Sequence, residues 1–169
     1  VIFDRYNNKI FKAKYFVASS LYSPIKKDIK IIKKTDNQPR DKFAYTIPYV
    51  QDVTKSIEFY ENAFGLTRKF ITPENDYAEL FVGETTPSIA SRELAKSNLK
   101  DGYIESSLAE RPFGIEIGFT ADNVEETLST AVNAGATIVE DSVTKPWGQT
   151  VAYVRDIDGF LIEISTPME

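Results

Sequence analysis

The sequence predicts an α+β fold built from two βαβββ modules behind a β-rich N-terminal extension. Three observations carry this. The pattern strand, helix, three strands occurs twice between Phe43 and Thr166. Candidate helix caps Asp52 and Asp122 stand 70 residues apart, and so do the helix-stopping Gly65 and Gly135. A repeat with matched starts and stops is the signature of an internal duplication.

The extension comes first. In V-I-F-D-R-Y-N-N-K-I-F-K-A-K-Y-F-V, two β-rich runs flank Asn7-Asn8, which reads as a hairpin. A further short run spans Ile29 to Lys34, and the polar stretch Thr35 to Lys42 reads as a linker, so 1–42 is set apart from a domain at 43–167. In the first module, about 43–91, Ala44 to Val50 alternates as a strand. Asp52 or Thr54 caps a helix over about 53–63, with Ile57, Phe59, Tyr60 and Phe64 at helical spacing. Gly65 ends it, and strands follow at about 66–72, 77–82 and 86–91. A polar, partly helical connector occupies 92–111. In the second module, about 112–167, Ile115 to Ala121 is a strand. Asp122 or Asn123 caps a helix over about 124–134, and strands follow at about 136–140, 149–155 and 160–165.

Composition narrows the functions. The chain of 169 residues can bury a core without disulfides. It has no Cys and no His, which removes thiolate nucleophiles, thiolate metal sites and any imidazole base, and fits a reducing cytoplasm. No run of about 18 apolar residues exists to span a membrane, and no signal-peptide pattern opens the sequence. Residues 1–42 hold 11 Lys/Arg and 4 Asp/Glu, a net +7; the remainder holds 20 − 11 = 9 basic and 25 − 4 = 21 acidic groups, a net −12. An acidic body disfavours nucleic acid and attracts cations. The basic extension alternates its lysines with Ile, Phe, Tyr and Val, which suits strands that dock on the body better than a nucleic-acid arm.

Three separated motifs, V-Q-D-V-T-K-S-I-E-F-Y-E-N-A-F-G-L at 50–66, A-G-A-T-I-V at 134–139 and P-W-G-Q-T-V-A-Y-V-R-D-I-D-G-F-L-I-E-I at 146–164, resemble the vicinal oxygen chelate superfamily. That superfamily unites glyoxalases, bleomycin-resistance proteins and dioxygenases. The resemblance implies modules that curl mixed sheets around a cleft, with a divalent metal held by one side chain from each of four strands. Carried over, the four positions fall on Tyr45, on the segment Ser88–Ser91, on Glu116 and on Glu163. Two carboxylates without imidazole suit neither Fe(II), Ni(II) nor Zn(II). No metal or other cofactor is therefore expected, weak Mg²⁺ or Mn²⁺ being the one alternative kept. Members without metal ligands resemble the sequestering, bleomycin-resistance type, which are acidic homodimers.

Glu163 stands in the apolar run F-L-I-E-I, where alternation sets Leu161 and Glu163 opposite Ile162 and Ile164. With the isoleucines on the helices, Glu163 faces the cleft. The same parity turns Tyr45, Ile47 and Tyr49 inward, together with Glu116, Gly118 and Thr120, and Tyr153 is expected to join them. The P-W-G loop is expected to bring Trp147 to the cleft mouth. Tyr45, Tyr49, Glu116, Trp147, Tyr153 and Glu163 are thus the candidate ligand-binding residues, and Glu163 the candidate catalytic one. Aromatic walls with a few carboxylates suit a flat or cationic organic compound. Three readings stay open: a metal-independent binding protein, a lyase or isomerase using Glu163 as base or hard-metal ligand, and an assembly module with a vestigial cleft.

Overall fold

Both long helices begin where a short polar side chain meets orphan backbone donors. The computed structural model describes residues 43–83 and 86–168. The expected hairpin, short strand and linker of 1–42 lie outside the described residues. Asp52 accepts from the Lys55 N–H at 3.1 Å and opens α1 (Val53–Phe64), which Gly65 closes at φ +66°. Asn123 accepts from the Glu126 N–H at 3.2 Å and opens α3 (Val124–Asn133). The second cap is therefore Asn123 and not Asp122, so the true cap spacing is 71.

Around the helices run β1 (Tyr45–Thr46), β2 (Tyr49–Val50), β3 (Thr67–Ile71), β4 (Tyr77–Phe81) and β5 (Thr86–Ser91) in the first module. The connector contributes α2 (Arg92–Asn98), capped by the Ser91 side chain. The second module adds β6 (Glu116–Thr120), β7 (Thr137–Thr144), β8 (Thr150–Arg155) and β9 (Leu161–Ser165). Two details depart from expectation. The strand expected over 44–50 is split in two, because Pro48 has no N–H to give the ladder. Strand β7 runs on to Thr144, beyond the end expected near 140, by absorbing two register irregularities against β8.

The α+β class and the two βαβββ modules are what the chain adopts. Each module pairs its first strand parallel to its last, with antiparallel neighbours beyond, giving the orders β1-β5-β4-β3 and β6-β9-β8-β7. One face of each sheet is covered by its helix, and α1 and α3 touch each other. A single core results, with Ile57, Ile162 and Ile164 wholly buried; each such side chain contributes roughly 1.5–3 kcal/mol. Phe64 stacks on Phe119 with centroids 4.3 Å apart and rings 11° from parallel, which ties the modules together.

A second tie is polar. The D-I-D-G turn between β8 and β9 reaches α1 and the residue before its cap. Asp158 accepts from Ser56 Oγ at 2.6 Å and from the Gln51 N–H at 2.9 Å. Asp156 accepts from the Tyr60 hydroxyl at 2.8 Å and from the N–H groups of Asp158 and Phe160. Burial pushes the Asp156 carboxyl up to about 6, the hydrogen bonds opposing it. Next to this turn, buried Arg155 bonds the carbonyls of Ser107, Leu108, Glu110 and Gly159, so the connector is clamped to the second module without any carboxylate.

Candidate functional site

The helix-free face of the second sheet is where the expected site residues gather. Ladder register sets Gly118 beside Glu163, and Glu163 beside Tyr153, while Glu116 stands one pair along, beside Leu161. Ala152, Val154, Ile162 and Ile164 take the other face and have no exposure. The alternation read from F-L-I-E-I is therefore the alternation present. The Tyr153 hydroxyl donates to Glu163 Oε2 at 2.6 Å. That bond pushes the phenol up to about 12, with burial and the charges of Glu163 and Glu116 adding to it. Among the described residues neither Glu116 nor Glu163 joins an ion pair. Gly118 lies between them on β6, and a Cβ added there would meet nothing within 4 Å. A glycine in mid-strand under open space leaves room for a ligand's close approach.

The first sheet answers differently. Tyr45 pairs in register with Thr86 and is 53% exposed. Counting back seven from the caps makes Tyr45 the counterpart of Glu116, and the ladders then make Ser88 the counterpart of Glu163. Beside Ser88 stands Glu79, whose Oε2 is bound by Lys69 Nζ at 2.7 Å. The Tyr77 hydroxyl lies 2.9 Å from Ser88 Oγ and 3.1 Å from Glu79 Oε1. Lys69 holds the Glu79 carboxyl below its ordinary value. Tyr77 and Glu79 escaped the sequence reading, although the alternating Y-A-E-L-F run carried the signal.

Two expected residues stand apart. Tyr49 packs on Tyr103 of the connector, centroids 5.0 Å apart, so its ring is committed to a partner. Trp147 tips the β7–β8 hairpin, 66% exposed, its indole N–H bonded to Gln149 at 3.1 Å. The structure thus brings together Glu116, Tyr153 and Glu163 on one sheet, and places Tyr45, Tyr49 and Trp147 elsewhere.

The donor set decides what the four superfamily positions can hold. They carry a phenol, a serine hydroxyl and two carboxylates, one of which is already bonded by Tyr153. Among the described residues no three His, Cys, Asp or Glu side chains cluster as a metal-binding group. Imidazole and thiolate, the donors that hold Zn(II), Ni(II) and Fe(II), do not occur in the chain. The residues present do not fit a resident transition metal.

The family model of the glyoxalase-like domain matches residues 43–169. The chain belongs to this glyoxalase-like family, within the vicinal oxygen chelate superfamily. This glyoxalase-like chain is 32% identical over 117 residues to the uncharacterized protein YraH of Bacillus subtilis (strain 168), covering 68% of the chain and 90% of that relative. Its fold is that of a glyoxalase-related enzyme from Fulvimarina pelagi, with TM-score 0.65 and 18% identity over 75% of this chain and 88% of that one. A glyoxalase/bleomycin resistance protein/dioxygenase family enzyme from Burkholderia phytofirmans PsJN is similar too, with TM-score 0.62 and 17% identity over 73% and 96%. Among the described residues no helix is long and apolar enough to cross a membrane.

Proposed function

We propose that this glyoxalase-like chain is a metal-independent binding protein that sequesters small organic cations. The observation that carries the reading is the carboxylate set of the second sheet, which has no ion-pair partner among the described residues. Glu163 is fixed by Tyr153 at 2.6 Å, Glu116 stands close by, and Gly118 leaves the space above them open. A carboxylate pre-oriented by a phenol loses little freedom on binding a cation, and the partly desolvated face strengthens the attraction. The neighbouring Tyr153 supplies an aromatic surface for cation–π contact.

Proton transfer is the less favoured use of the same groups. A phenol held up to about 12 is a poor general acid near neutrality, where efficient acids and bases have matched values. The exposed Phe81, Ile115 and Val143 favour pairing of two chains, so the binding form is expected to be a homodimer, which the mass in solution checks.

The test is calorimetric titration with benzyltrimethylammonium. Saturable binding is expected, weakened at least tenfold in Glu163→Gln and changed less than twofold in Glu79→Gln, whose carboxylate already serves Lys69. Equal binding by wild type and Glu163→Gln would sink the proposal. Chemical turnover of a bound carbonyl compound that Glu163→Gln abolishes would move the chain to the lyases and isomerases.

A further inference from the structure

The two sheets do not join at their facing edges. Strands β1 and β6 are both edge strands, and among the described residues no ladder links them. The gap left by that missing ladder is hollow. On the helix side it opens into a cavity of about 210 Å³, walled by Leu66, Leu80, Val82, Ile89, Ile117 and Phe119. Toward the helix-free face it continues into a space of about 380 Å³ that Glu116 and Leu161 border. Thr46, Pro48 and Ile117 line both, so the two spaces adjoin.

The inner cavity has little to offer water. Three polar side chains reach its wall. Tyr60 already donates to Asp156 at 2.8 Å, and Ser88 is engaged with Tyr77 at 2.9 Å, so among the described side chains Thr46 is left, beside the outward backbone groups of the two unladdered edges. A buried water needs two to four polar partners, whereas apolar cavities of about 150 Å³ stay dry and admit benzene. The outer space ends at the carboxylate of Glu116, which joins no ion pair among the described residues. The seam is thus apolar inside and anionic at its rim.

We propose that this inter-module seam is a binding compartment for an apolar group, aliphatic or aromatic, of up to about the size of a benzene ring with a short chain. Its natural occupant is the hydrophobic part of an amphiphilic cation whose charged end rests at Glu116. Only that charged end rests on the function proposed above; the compartment itself stands on the seam's shape and lining.

Two probes separate the claims. Benzene, which has no charge, is titrated while the methyl resonances of Leu80, Ile89 and Ile117 are followed by NMR. Saturable shifts confined to these methyls are expected. The n-alkyltrimethylammonium ions from methyl to octyl are titrated by calorimetry, and affinity is expected to rise about threefold to fourfold per methylene until the seam is full. Ile117→Phe, at the junction of both spaces, should abolish the benzene shifts and flatten the chain-length series while the melting temperature holds or rises. Val82→Phe, at a half-exposed wall position, repeats the test if the first variant does not fold. Benzene shifts without any cation binding would support the compartment and remove the cationic reading. No benzene shifts, with a flat chain-length series, would overturn the compartment even if Glu163-dependent cation binding survived.

Discussion

The two modules share one plan and differ in what each does with its carboxylates. On the first sheet Glu79 is neutralised by Lys69, and Tyr45 and Ser88 stand where the second sheet has Glu116 and Glu163. On the second sheet both carboxylates lack a cation among the described residues. The turns before the last strands differ likewise. Gly83 opens onto empty space, whereas Gly159 is wedged between the Arg155 guanidinium and the backbone of Ser107 and Leu108. One copy has kept the fold, and the other has become both the charged face and the anchor for the rest of the chain.

The largest expected effect breaks that asymmetry at the turns. An alanine Cβ at Gly159 would lie 2.7 Å from the Ser107 carbonyl carbon at a φ of +93°. Gly159→Ala is expected to cost roughly 3–5 kcal/mol, the range reserved for strain and displaced buried contacts. Gly83→Ala, with φ +52° and nothing within 4 Å, should cost about 1 kcal/mol, the left-handed penalty alone. Urea denaturation of the pair decides it; equal losses would mean that the connector does not depend on the Arg155 clamp.

Asp156 comes next, since the first module shows no equivalent staple among the described residues. Its carboxyl titrates near 6 in the folded chain against 3.8 when unperturbed. A raised carboxyl binds its proton more tightly in the folded state. Its stabilising contribution is therefore complete below about pH 4 and is lost as pH rises to about 6. About two pH units correspond to roughly 3 kcal/mol. Relative to wild type, Asp156→Asn should gain about that much stability between pH 4 and pH 6.5, read from denaturation midpoints at each pH. A constant difference across the window would show that Asp156 does not titrate there.

The face itself is probed at Gly118, whose counterpart five residues before the first cap is Ile47. Gly118→Val puts a β-branched side chain where the first module carries the β-branched Ile47. Valine suits a strand and relieves the glycine's entropic cost, so stability should hold or rise by up to about 1 kcal/mol. Its side chain would stand over Glu163, and benzyltrimethylammonium affinity should fall about tenfold. Unchanged affinity would place the cation away from this face.

Much of this was legible because it rests on period and spacing. The repeat, the helices and the inward turn of Glu163 follow from alternation and caps that any reader of F-L-I-E-I or D-V-T-K-S can find. The Tyr153–Glu163 pair was half legible, since parity gives the face but not the 2.6 Å contact. The Asp156 and Asp158 staple was not, because its partners Ser56 and Tyr60 lie about 100 residues away and only packing brings them together. The Tyr49 partner was hidden for the same reason: parity gives the side of the strand, while only packing brings Tyr103 of the connector against its ring. The seam was invisible because it depends on two strands failing to pair, which no pattern within either strand records.

Trp147 carries the smallest expected effect. The corresponding β3–β4 turn of the first module has no aromatic residue and is held by Thr72 and Asp76, 2.6 Å apart. Trp147 instead projects from its hairpin, its indole N–H bonded to Gln149 two residues on. An exposed side chain of this kind contributes within about 0.5 kcal/mol to stability. If it met a bound cation, an exposed cation–π contact would add about 0.5–1 kcal/mol, at most about fivefold in affinity. Trp147→Ala should therefore leave the denaturation midpoint unchanged and weaken benzyltrimethylammonium no more than fivefold, against tenfold or more for Glu163→Gln. A tenfold loss at Trp147 would mean that the hairpin closes over the charged face when the cation binds, and that the second module differs from the first in motion as well as in charge.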